Sequence, residues 1–164
     1  MDGILEKISS YNIFNYLFPG TLFAVIAEAL TTYRFIQDDI VVGLFFYYFI
    51  GLVISRIGSL LIEPALKKAH FITFVEYPKF VEASKSDPKI DMLSEANNMY
   101  RTLCALFMLL LSVALFDKYA PRLPWLVASG PYIAGAALFV MFLFSYRKQT
   151  AFIVKRVNSN ARSD

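Results

Sequence analysis

From residue 125 to residue 146 the chain carries no charged side chain, and three more long apolar runs, with at most one charge each, precede it. Residues 13–33 are interrupted only by Glu28, residues 40–62 only by Arg56, and residues 103–116 not at all. A helix needs about 20 residues to cross ~30 Å of hydrocarbon at ~1.5 Å per residue. Three of the runs have that length. The third can be extended by residues 97–102, with Arg101 reaching back toward headgroups on its long stem. A soluble bundle would need polar faces that these segments lack. The composition agrees: 57% hydrophobic and 18% charged, against about 45–50% and about 25% in soluble domains. The expected fold class is therefore all-α, a polytopic membrane protein with four transmembrane helices at about 13–33, 40–62, 99–116 and 125–146.

Positive charge near span ends favours the cytoplasmic side. The first connection holds only Arg34 and the third only Lys118 and Arg122, whereas the middle segment holds Lys67, Lys68, Lys79, Lys85, Lys89 and Arg101. The tail, 147–164, adds Arg147, Lys148, Lys155, Arg156 and Arg162. Both termini, the middle segment and the basic tail are thus expected in the cytoplasm, with Lys7 in agreement. The start, MDGILEKISSYN, does not read as a cleavable signal peptide.

Local signals fill in the plan. Ser9, Ser10 or Asn12 is expected to cap the first helix, and Pro19-Gly20 to kink it. Gly51, Ser55 and Ser59 repeat every four residues, a spacing that lets two backbones approach closely. Glu63 and Lys67 stand four apart in the favourable order, and Pro64 is expected to bend a helix that runs on. Phe71, Phe74, Val75, Pro78 and Val81 form a rough apolar stripe suited to a membrane surface or a neighbouring subunit. Asp87-Pro88 reads as a helix start leading straight into the third span. Residues 63–98 are expected to form a cytoplasmic helical hairpin extending spans two and three. A second kink is expected at Pro131, and a basic helical extension after Tyr146.

The chemistry of an enzyme is hard to find here. One histidine, His70, and one cysteine, Cys104, stand apart, and the metal-ligand spacings, phosphate loops and nucleophile elbows of known chemistries are missing. The expectation is no catalysis, no metal and no cofactor; His70 is read as an interfacial residue. Two ionisable residues inside spans are candidates for an ion path. Glu28 must face a water-filled lumen, bond to hydroxyls such as Thr31 or Thr32, or stay protonated. Arg56 either snorkels to phosphates at the inner interface or turns toward a central aqueous path. The basic and aromatic set Lys67, Lys68, Tyr77, Lys79, Lys85, Lys89, Tyr100 and Arg101 could hold an anionic ligand or partner; positive-inside topology alone also accounts for it.

Four spans with short loops enclose little volume, so an aqueous path calls for several copies with charged rings at its mouths. The segments YNIFNYLFPGTLF and GLVISRIGSLLIEP resemble those of small multi-span proteins of bacterial anti-phage loci, and the four-span plan is similar to Hailong-type channel effectors. The resemblance implies a bacterial inner-membrane effector of abortive infection. Such an effector responds to a cytoplasmic sensor protein, a nucleotide or an oligonucleotide ligand, and a DNA oligomer holds the channel shut in the Hailong type. The leading expectation is an ion channel or membrane-perturbing effector, a homo-oligomer in the lipid bilayer with a tetramer as the working number, gated through its cytoplasmic part. A small proton-coupled multidrug-type transporter using Glu28 is a second reading, and a membrane anchor for a soluble partner a third.

Overall fold

The computed structural model describes residues 12–160; Ser9 and Ser10, expected as caps, and Lys7 lie outside them. Among the described residues every regular element is a helix, and there is no strand. We number the helices α1 Ile13–Leu30, α2 Ile40–Lys68, α3 Tyr77–Ser86, α4 Lys89–Tyr119 and α5 Pro124–Asn160. All but α3 are long and apolar enough to cross a membrane, which makes this a multi-pass membrane protein.

Two prolines shape the first two helices. A proline cannot donate to the carbonyl four residues back, and its ring crowds that carbonyl. Ahead of Pro19 the turn Ile13–Leu17 widens to π form, with the Phe18 N–H donating to Ile13 O. Ahead of Pro64 the turn Gly58–Ile62 does the same, with the Glu63 N–H donating to Gly58 O. Both helices run on through the widened turn, as such bulges allow. Pro131 differs: α5 continues through it in α form to Asn160. Asn12 corrects an expectation, because its backbone is already helical and its side chain caps nothing.

α1 stops at Leu30, three residues earlier than expected, and Thr31 is extended (φ −135°, ψ 173°). Its hydroxyl donates to Ala27 O at 2.7 Å, and its neighbour Thr32 is held by Asp117 of α4 through its N–H (3.1 Å) and its hydroxyl (2.6 Å). Asp39 then caps α2, accepting from Val42 N–H at 2.9 Å.

α1, α2 and α4 build the core, in which Phe23, Ala27, Ile54, Ala105, Leu106 and Leu110 fill the space between the helices. α1 and α2 touch backbone to backbone: a Cβ at Gly20 would overlap the Tyr47 carbonyl, and one at Gly51 would overlap that of Tyr16. The partner for the small residues of α2 is thus in the same chain, and Gly20 supplies the other half of the crossing. α5 stands apart; its most apolar 18-residue stretch contains no buried residue.

The expected hairpin at 63–98 has a different outward leg. α2 does continue past Ile62, but it ends at Lys68 in a Schellman turn: Phe71 N–H donates to Leu66 O (3.0 Å) and His70 N–H to Lys67 O (3.1 Å). His70 takes the left-handed position with φ 56°, where glycine is usual. Residues 71–76 are not helical, and α3 follows as a separate short helix with Val81 buried. Asp87 caps the return leg through its carboxylate to Lys89 N–H at 2.9 Å, and α4 runs from Lys89 into the third span without a break.

Candidate functional site

Where α2, α4 and α5 meet at one end of the bundle, a single carboxylate gathers three cations. The widened turn before Pro64 sets Glu63 into the bundle, and its side chain is only 10% exposed. Gly58, one turn earlier, lets α4 come close; a Cβ there would stand 3.1 Å from Arg101 O and 3.3 Å from Arg101 Cγ. Arg101 Nη1 donates to Glu63 Oε2 at 2.6 Å. Lys67 Nζ donates to Oε1 at 2.9 Å, and Lys148 Nζ of α5 lies 3.6 Å from the same oxygen. Lys148 also donates to both the carbonyl and the hydroxyl of Ser59, at 2.7 Å each.

Burial grades the three cations: the side chains of Arg101, Lys148 and Lys67 are 19%, 28% and 43% exposed. A buried carboxylate demands such partners, because leaving it unpaired costs several kcal/mol on the order expected for a desolvated ion. Each lysine also sits by a ring, Lys67 4.0 Å from the centroid of Phe74 and Lys148 5.9 Å from that of Phe152. Tyr77 lies beside Phe152 with ring centroids 6.3 Å apart, so the 71–77 segment borders the cluster.

The cluster has a definite height along the bundle. At ~1.5 Å per residue α4 rises about 27 Å from Arg101 to Tyr119, and α5 about 36 Å from Pro124 to Lys148. Both figures bracket a ~30 Å hydrocarbon core. Glu63 and its cations thus lie about one such thickness along the bundle from the 31–39 and 120–123 connections. Beyond the cluster α4 and α5 each project about 18 Å further.

The sequence candidates distribute as follows. Glu28 Oε2 accepts from the backbone N–H groups of Phe35 (2.7 Å) and Ile36 (2.6 Å). Of the three alternatives for Glu28, the bond to hydroxyls is not the one formed: α1 ends early enough for the following loop to fold back over the carboxylate, while Thr31 and Thr32 bond elsewhere. Arg56 is drawn toward α1, where its Nη2 donates to Tyr16 Oη at 3.2 Å, and Tyr16 meets Tyr48 edge to face at 5.5 Å. Gly51 faces α1, Ser55 is buried, and Ser59 serves Lys148. Arg101 gives its Nη1 to Glu63.

Of the basic and aromatic set, only Lys67 and Arg101 converge. Lys79 pairs with Glu76 at 3.2 Å on the surface, Tyr77 packs on Phe152, and Lys68, Lys85, Lys89 and Tyr100 stand exposed at separate places. Sequence reasoning missed Glu63 as a centre and Lys148 and Tyr16 as partners. Glu63 was visible as an acid at a span end with Lys67 one turn on, but its partners on other helices had no local signal. Among the described residues no group of His, Cys, Asp and Glu could hold a metal ion. A pocket of about 190 Å³ between Phe14, Asn15, Met92, Glu95, Ala96 and Met99 is smaller than ligand pockets usually are. Comparison with family models, with curated proteins and with solved structures finds no match to this chain.

Proposed function

We propose that the chain is the subunit of an oligomeric membrane channel or membrane-perturbing effector, whose opening is set at the end of the bundle that carries the Glu63 cluster. The observation that carries this reading is the contrast between a filled three-helix core and a fourth spanning helix whose apolar stretch buries nothing. Apolar side chains fill the middle of the packing between α1, α2 and α4, which favours a conducting path between copies over one through a single copy. α5 is the helix free to line it or to seal it. Its tie to the core at Lys148, by way of Ser59 and Glu63, offers a place where a ligand or partner can bias the state.

The cluster end also carries Lys67, Lys68, Lys79, Lys85, Lys89, Arg147, Lys155 and Arg156, whereas Arg34, Lys118 and Arg122 are at the other end. Positive-inside bias favours a cytoplasmic cluster end, with both termini on the same side; the bacterial inner membrane is what the resemblance implies. The two segments that resemble anti-phage effectors, 11–23 and 51–64, contain the Gly20–Gly51 crossing and the Tyr16–Arg56 bond. That resemblance supports a role in abortive infection. A proton-coupled exchanger finds less support, because the Glu28 carboxylate is engaged by two backbone N–H groups at the end of its span.

The test is conductance of the purified full-length chain in planar bilayers, paired with membrane potential and growth of cells after induced expression. The expected result is discrete current steps and depolarisation. Silent bilayers together with normally polarised, growing cells would sink the proposal.

A further inference from the structure

We propose that the Glu63 cluster is a seat for a phosphate anion at the level of the headgroups, carried by an anionic phospholipid or arriving as a free phosphate ester. Three cations share one carboxylate, so the cluster holds two positive charges in excess. Glu76, the next acid along the chain, is spent on Lys79. Lys148 completes its shell with neutral serine oxygens, which leave its charge unbalanced. Arg101 uses Nη1 on Glu63, while its Nε is buried and meets no acceptor. Like charges crowded into a partly buried site repel one another, and an anion with several acceptor oxygens relieves them all at once.

The height of the site supplies the anion. Glu63, Arg101 and Lys148 sit where the hydrocarbon gives way to phosphates, and Lys67 and Lys148 are exposed enough to reach one. Phe74 and Phe152 flank these two lysines with apolar rings, suited to the glycerol and upper acyl region beside a headgroup. Phe71 and Val75 are exposed on the same segment as Phe74.

This inference concerns binding and does not depend on conduction. The full-length protein, delipidated in detergent, is titrated with phosphatidylglycerol, with phosphatidylcholine and with soluble glycerol phosphate, and its thermal midpoint and bound lipid are followed. Phosphatidylglycerol is expected to raise the midpoint and bind stoichiometrically, and phosphatidylcholine to do neither. Lys67→Gln should weaken half-saturation about tenfold, the loss of one charge-assisted hydrogen bond, while Lys67→Arg keeps it. Lys67 is the most exposed of the three cations, so this change leaves Arg101 and Lys148 on Glu63, and the lipid-free midpoint reports whether the fold is intact. Protection by glycerol phosphate at the same half-saturation supports the site and assigns it to a free ester; protection by the lipid alone assigns it to the headgroup. The double change Lys85→Gln, Lys89→Gln, away from the cluster, should have no effect. If it weakens binding as much as Lys67→Gln, or if the two lipids protect equally, the inference is overturned.

Discussion

Gly20 and Gly51 carry the tightest requirement on any single side chain, since each stands where a methyl group would overlap a backbone carbonyl of the other helix. Backbone cannot swing aside as a flexible side chain can, so the helices themselves must part. Gly51→Ala is expected to lose about 1–3 kcal/mol of stability, the range for overpacking a filled contact, read as a lower thermal midpoint in detergent. Gly20→Ala added to it should cost less than it does alone, because the crossing has already opened. Gly135→Ala is the control: its added methyl meets nothing within 4 Å, and a change within about 0.5 kcal/mol is expected. His70 presents the opposite case. A side chain occupies a left-handed position that favours glycine, so His70→Gly should hold or raise the midpoint, while the β-branched His70→Val should lower it by about 1–2 kcal/mol. An equal loss from His70→Gly would show that the imidazole, and not the backbone, is what matters there.

Between elements, the Glu63 cluster is the tie that joins α2 to α4 and α5. Its members are unequal. Lys67 is the most exposed and its loss leaves the carboxylate two cations, so Lys67→Gln should cost no more than about 1 kcal/mol, as exposed ion pairs do. Glu63→Gln leaves three cations facing one another and should cost about 3–5 kcal/mol, the range for breaking a buried pair. Thermal unfolding of the two variants side by side checks the order; a reversed order would mean that the cluster is a solvated surface feature. The sequence made one part of this legible. Four apolar runs, the Glu63–Lys67 spacing and the Asp87 cap are local patterns, and local patterns predict local structure. The Arg101–Glu63, Lys148–Ser59 and Arg56–Tyr16 contacts span 38, 89 and 40 residues. They depend on how each helix is rotated about its axis, which the widened turns before Pro19 and Pro64 alter. The end of α1 was hidden for a related reason: Thr31 and Thr32 read as span, and only the fold-back of the next loop onto Glu28 shows why the helix stops.

At the scale of the whole molecule the two ends of the bundle differ in kind. One end is closed by short connections pinned through Glu28, Thr32–Asp117 and Asp39. The other projects α3 and the long ends of α4 and α5 and holds most of the positive charge. Translocating that charge across a bilayer would be unfavourable, so the basic end is expected to remain in the cytoplasm. The single cysteine makes this testable: with Cys104→Ser as background, one new thiol can be placed at each end. Asp38 is 97% exposed and only loosely paired with Arg34, at 3.8 Å, so Asp38→Cys disturbs little. Ser86 ends α3 and is exposed, which makes Ser86→Cys its counterpart. A membrane-impermeant maleimide on intact cells should label Asp38→Cys and should reach Ser86→Cys only after lysis. The reverse pattern would place the Glu63 cluster on the outer face and would remove any cytoplasmic ligand from its reach. Labelling of both positions in intact cells would mean that the helices do not share one membrane slab, and the bracketing of the cluster between ~30 Å boundaries would fall with it.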